Sequence, residues 1–191
     1  MVNQVKNNIP AEPKFVAAQP TASSRGKGKA SGYKKSLVEK QELKKLYGLS
    51  EKQLSRYVRE SLAKIQRIDN VAEEFVKRLE KRLDNVVFRA GFAQTRKHAR
   101  QLVCHGYFLV NGKSNNIPSM EVDKNDVVAI KENKKKKAVF SALSDFLKKT
   151  EPPSWMKVNK EKLEAVVVGD PGQREANLPI EISLVFEFYS R

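Results

Sequence analysis

Cysteine occurs once and histidine twice in these 191 residues. The one thiol, Cys104, excludes an intramolecular disulfide and any multi-cysteine zinc site. His98 and His105 lie seven apart on one helical stretch with no carboxylate placed to orient either. There is no phosphate-binding glycine loop, no metal-ligand cluster and no Ser-His-Asp set, so nothing reads as an enzyme and no cofactor or metal is called for. No apolar run is long enough to cross a bilayer. The amino terminus lacks a basic-then-apolar secretory pattern, and Glu12 among few arginines argues against a transit peptide. The expected location is therefore the compartment of synthesis, the cytoplasm, where Cys104 stays reduced and no membrane partner is implied.

Acidic residues are also scarce: 22 Asp and Glu face 37 Lys and Arg, a net charge of +15. Such an excess resists compaction and favours polyanionic partners, nucleic acid before an anionic membrane. It is unevenly placed. Residues 25–60 hold eleven cations against four acids, and 77–113 hold nine against two, whereas 150–191 hold five against seven. Two basic blocks favour a contact surface over a merely solvated one. The 40% apolar content is enough for a real core.

The stretch from Arg82 to Lys113 is the most informative. Leu79, Leu83, Val86, Val87 and Ala90 recur at steps of three and four, which predicts one helix with an apolar face. Arg78, Arg82 and Arg89 fall along a flank of that face, and Gly91 closes the helix. Thr95 can cap a second helix whose buried side is Ala99, Leu102 and Val103, flanked by Arg96, Lys97 and Arg100. Gly106 ends it, Tyr107 to Val110 reads as a strand, and Asn111-Gly112 suits a hairpin turn before Lys113. Only Glu80 and Asp84 are nearby to offset these cations. A platform of guanidinium groups matches phosphate oxygens bidentately.

Elsewhere, Pro10, Pro13 and Pro20 interrupt a basic arm, residues 1–31, that shows no periodicity and reads as disordered when free. Ser50 with Gln53 forms a capping box, ahead of the apolar stripe Leu54, Tyr57, Val58, Leu62 and Ile65. Asn70 with Glu73 suggests a further cap. Ser119–Val122, Asp126–Lys131, Val166–Val168 and Leu184–Phe188 read as strands. Val139, Leu143, Phe146 and Leu147 suggest a short amphipathic helix, and Trp155 a core anchor. The Lys134–Lys137 run is more often solvated than specific. Tyr33, Tyr57 and Tyr107 could stack on bases, although aromatics at such spacing are usually core. Phe88, opposite its helix's apolar seam, is expected against the helical half.

Arg82-Leu83-Asp84, Thr95-Arg96, Ala99 to Val103, His105-Gly106 and Val110 to Lys113 resemble the RNA-binding domain named after ribosomal protein S-four of the small subunit. Further segments extend the likeness over roughly 32–191. They are Glu39 to Gln41, Lys44 to Leu49, Asn115 to Ser119, Pro153 to Trp155 and the terminal Glu187 to Arg191. The chain is thus similar to the bacterial-type S-four family of small-subunit ribosomal proteins, in a zinc-free form. The first thirty residues depart from that pattern.

The resemblance implies an α+β fold, with a helical N-terminal domain and a small RNA-binding domain of two helices packed on an antiparallel sheet. Its parts would be the arm (1–31), the helical rRNA-binding domain (32–79), the S-four-type domain (80–145) and a C-terminal segment completing the fold (146–191). It implies a structural constituent that binds small-subunit ribosomal RNA early in assembly, holds the 5′-domain junction and supports translational accuracy. Implied neighbours are ribosomal protein S-five and messenger RNA near its point of access. The expected RNA contacts are Lys34, Lys35, Lys44, Lys45, Arg56, Arg78, Arg82, Arg89, Arg96, Lys97, Arg100, His105 and Lys113. For His105 a helix-capping role weighs equally. Replacing Arg96 and Arg100 together should weaken RNA binding and make its salt dependence shallower by roughly 1.4–1.8, at about 0.7–0.9 per lost phosphate contact. A free-standing regulator acting on messenger RNA or stalled ribosomes is the alternative.

Overall fold

The computed structural model describes residues 32–64, 70–135, 137, 140, 143, 146, 147 and 150–190. The basic arm, Ile65, Lys136, Val139 and Arg191 lie outside the described residues. Residues 31–191 form one compact unit, and it contains two hydrophobic cores.

Helices α1 (Gly32–Leu46), α2 (Glu51–Leu62) and α3 (Val71–Glu80) build the first core. The capping box at the start of α2 is complete. Ser50 Oγ accepts from the Gln53 amide at 3.2 Å, and Gln53 Oε1 accepts from the Ser50 amide at 3.0 Å. Asn70 caps α3 through the Glu73 amide. Leu43, Leu54, Val58, Phe75 and Leu79 meet in the interior.

The lid of this core is a correction to the strand expected at Leu184–Phe188. The segment is a helix, Ile182–Ser190. Its β-favouring composition yields to a three–four spacing that turns Ile182, Val185, Phe186 and Tyr189 onto the first core. Phe186 meets Phe75 edge-on at 5.2 Å.

A second correction falls at the start of the basic stretch. Instead of one helix through Leu79 and Ala90, α3 stops at Glu80 and α4 spans Leu83–Arg89. Arg82 between them is extended and bridges to Glu121. The Ser119–Val122 segment, expected as a strand, stays outside the sheet and seals this break. The Leu83 amide donates to the Met120 carbonyl (2.8 Å), the Asp84 amide to Pro118 (3.1 Å), and the Val122 amide to Lys81 (2.9 Å). Helix ends leave backbone groups unpaired, and this segment pairs them.

Helix α5 spans Arg96–Cys104, with Thr95 Oγ1 capping it through the His98 amide. With α4 it packs on a five-stranded antiparallel sheet of order β2-β1-β3-β5-β4. The strands are β1 (Phe108–Val110), β2 (Lys113–Asn115), β3 (Val127–Ile130), β4 (Met156–Asn159) and β5 (Glu164–Val167). β4, in which Met156 and Val158 alternate with Lys157 and Asn159, lies outside the expected strands. Asn111 and Gly112 both take positive φ, 50° and 76°, as the tight hairpin turn between β1 and β2 demands. Phe108, Val110, Val128, Ile130, Ala165 and Val167 alternate inward against Leu83, Val86, Val87, Leu102 and Val103, with Trp155 alongside. The C-terminal quarter is shared: β4, β5 and Trp155 serve the second core, Ala176 and the last helix, hereafter α6, the first.

Candidate nucleic-acid interface

The break between α3 and α4 places two carboxylates where the two cores meet, and most of the expected RNA-contacting arginines converge on them. Arg82 is wholly buried. Its Nε and Nη2 donate to the two Asp84 oxygens at 3.0 and 2.7 Å, and its Nη1 donates to the Tyr57 hydroxyl at 3.0 Å. Arg82, expected among the RNA contacts, is therefore sealed inside the protein and has no exposed edge to offer a phosphate. The bidentate pair and the tyrosine satisfy a guanidinium that could not otherwise be buried.

Glu80, also fully buried, is the second centre. It accepts from the Tyr47 hydroxyl (2.6 Å), Asn85 Nδ2 (2.8 Å) and Arg89 Nε and Nη2 (2.9 and 3.0 Å). Arg96 donates to Asn85 Oδ1 at 2.8 Å and lies over the Tyr47 and Phe88 rings at 4.9 and 4.5 Å. Phe88 thus packs on the second core under a guanidinium, and not against the helical half as expected. Arg89 also donates to the Ala176 carbonyl, so the segment leading to α6 joins the same cluster. Arg100 donates to the Gly48 carbonyl at 3.0 Å and comes within 3.7 Å of Asp84.

The electrostatics follow from this geometry. Burial pushes the Tyr47 phenol up from its ordinary value, and the neighbouring Glu80 carboxylate adds to the shift, so it keeps its proton and donates. Burial lowers the Arg96 guanidinium; it opposes that of Arg89 as well, but there the hydrogen bonds to Glu80 and the carboxylate's charge together outweigh it and raise the group. Four guanidinium groups against two carboxylates leave the cluster net positive. Arg96 and Arg100 keep 18% and 33% of their side chains exposed, so that excess reaches the surface at their rim.

The remaining expected contacts are placed differently. Arg78 is half-buried between Glu60 and Glu121, 5.1 Å from the Tyr57 ring. Tyr57 itself is core. Lys34, Lys35, Lys45, Arg56, Lys97, His105 and Lys113 are exposed, and Lys44 is half-buried with a 3.2 Å link to Glu51. The Arg100–Gly48 hydrogen bond and the Arg96–Tyr47 stack bring the end of α1, with Lys44 and Lys45, beside the start of α5, with Lys97. No described contact ties Lys113, on the edge strand β2, to that group. Sequence reasoning missed Lys52 and Arg59, exposed on α2 beside Arg56. It also missed Lys40, which is buried against Glu51 and the Phe188 ring. A stripe count on α2 would have found the first two; nothing local marks the third. No group of three metal-ligating side chains occurs among the described residues.

A family model described as the S4 domain matches residues 81–128, and one described as the ribosomal protein S4/S9 N-terminal domain matches residues 3–80. Their border falls on the α3–α4 break, and the second match takes in the arm that departed from any expected pattern. Similar full-length proteins carry the name small ribosomal subunit protein uS4. The one from Halothermothrix orenii is 42% identical across 90% of this chain and 81% of its own length. That from Corynebacterium glutamicum is 40% identical across 90% and 84%. That from a Sulfurihydrogenibium species is 40% identical across 87% and 81%.

Proposed function

The chain belongs to the uS4 family of small ribosomal subunit proteins, and from that premise we propose how it holds ribosomal RNA. It is a structural, non-enzymatic constituent of the small subunit that binds the subunit's RNA, as its family does. A free-standing regulator is not favoured.

The observation that carries the mechanism is the buried ion-pair cluster where α1, α4 and α5 meet. It fixes the mutual angle of two basic surfaces, one at the end of α1 and one at the start of α5. Lys45, Lys97 and the exposed edges of Arg96 and Arg100 contact phosphates; Arg82 and Arg89 position them from beneath. Further contacts come from Lys34, Lys35, Arg56 and Lys113 on separate parts of the surface. A rigid pair of surfaces can grip two RNA helices at once and so fix their angle. Phosphate contacts position the protein, and the shape of the folded RNA supplies discrimination. We assign the target to the multi-helix junction of the 5′ domain, with roles in early assembly and in decoding accuracy beside ribosomal protein S-five and incoming messenger RNA. The family alone supports that finer assignment, which places the protein in the cytoplasm on the ribosome.

Binding of the purified protein to the 5′ domain of its own small-subunit RNA, with transfer RNA as competitor across a salt series, tests the reading. Tight binding that survives competition near physiological salt is expected. Equal collapse on both RNAs would mean that only charge is read.

A further inference from the structure

A separate cleft of about 300 Å³ opens along the other side of α5, lined by His98, Gln101, Leu102, His105 and Tyr107. The first four recur at helical spacing and form one stripe. The fifth is folded back onto them. Gly106, at φ +64°, donates its amide to the Val103 carbonyl and the Tyr107 amide donates to Leu102, the paired closure that returns the chain over the last helical turn.

Phe140 and two lysines flank this wall. Phe140 meets the Tyr107 ring edge-on at 5.7 Å, and Lys134 Nζ lies 5.2 Å from its centre. The Lys131 amide donates to the Tyr107 carbonyl, and Lys131 Nζ would lie 3.6 Å from a Cβ added at Gly106. Neither imidazole nor the Gln101 amide group hydrogen-bonds to another described residue. The cleft therefore has an aromatic wall, three polar side chains with open hydrogen-bonding capacity and two ammonium groups nearby. Its size is at the small end of ligand clefts, which run from about 300 to 1,000 Å³.

We propose that this cleft receives one unpaired nucleotide of the bound RNA. The base lies against Tyr107 and Leu102, its edge is read by His98, Gln101 and His105, and its phosphate is met by Lys131 or Lys134. Aromatic rings stack on any base, and splayed-out bases in loops and bulges are what sequence-reading proteins take from RNA. This deepens the ribosomal-RNA reading and rests on it, since it adds a base contact to an interface otherwise made of phosphates.

The two histidines are the only ones in the chain, so the ring signals of each can be assigned in the full-length protein. Titration with each of the four nucleoside monophosphates, and separately with inorganic phosphate, is the test. Saturable movement of both histidines with at least one nucleotide, and not with inorganic phosphate, is expected. Still histidines, or equal movement with inorganic phosphate, would overturn the proposal. Y107L should abolish the response; because Tyr107 touches the core, H98A is the variant that leaves the fold alone. H98A should weaken binding to the 5′-domain RNA about 5- to 50-fold with an unchanged salt slope. Unchanged affinity there would equally defeat the base contact. Loss of all specific RNA binding by the wild type would instead defeat the ribosomal-RNA reading, while the nucleotide titration would still answer for the cleft.

Discussion

A guanidinium can serve RNA or the fold, and burial decides which. Arg82 and Lys97 are both cations of the same basic stretch, yet one is sealed against Asp84 and Tyr57 and the other is free in water. Truncating Arg82 to Ala strands Asp84 in the interior, a change that costs about 3–5 kcal/mol. Denaturant unfolding should show that loss, while the salt slope of RNA binding by the folded fraction stays unchanged. K45A with K97A should do the reverse, leaving unfolding intact and making the slope shallower by roughly 1.4–1.8. The Arg96 and Arg100 pair falls between: its removal should soften the slope and also lower stability, because both side chains brace the cluster. Charge and arginine spacing pointed to a basic cluster in this stretch. They did not announce Glu80 as its centre, because Tyr47, Asn85 and Arg89 reach it from separate elements.

Element by element, local signals were strongest at helix starts and glycine stops. Thr95, Ser50 and Asn70 cap where their side chains allowed, and Gly91 and Gly106 close α4 and α5. Both glycines take positive φ, which costs a residue with a Cβ about 1–2 kcal/mol. A Cβ at Gly91 would also press within 3.1 Å of Leu147. G91A should therefore lower the melting temperature more than G106A. Helix α6 offers a pH test. Burial would raise the Glu51 carboxyl, but hydrogen bonds from Tyr189, Lys40 and Lys44 outweigh it and pull the group from 4.5 down to about 2. A depressed acid contributes stability above its ordinary value and loses it as pH falls through the lowered one. The hold of Tyr189 on α2 should thus weaken between about pH 4.5 and 2, seen as faster amide exchange in α6. In E51Q that pH dependence should vanish. Glu51 is half-exposed, so the effect is screened by solvent.

At the scale of the whole molecule, the family border at residue 80 is not a border between independent folds. The C-terminal helix returns to cover the first core, through Ile182, Val185 and Phe186. A fragment of residues 1–80 should therefore stay largely unfolded by circular dichroism, and a peptide of residues 174–191 added in trans should increase its helicity. Unaided folding of the fragment would show that the lid is dispensable. By itself, the sequence determined the charge-driven choice of an RNA partner, the two-helix unit with its caps, the hairpin turn and the family. Those features are written in residues a few positions apart, where periodicity and capping act. Only the tertiary structure decided that the basic helix breaks at Arg82, that Leu184–Phe188 winds into a helix, and which arginines are sealed inside and which reach the surface. Each of those depends on what a distant segment offers: carbonyls from 118–120 for the break, an open apolar face for α6, and two buried carboxylates for the guanidiniums.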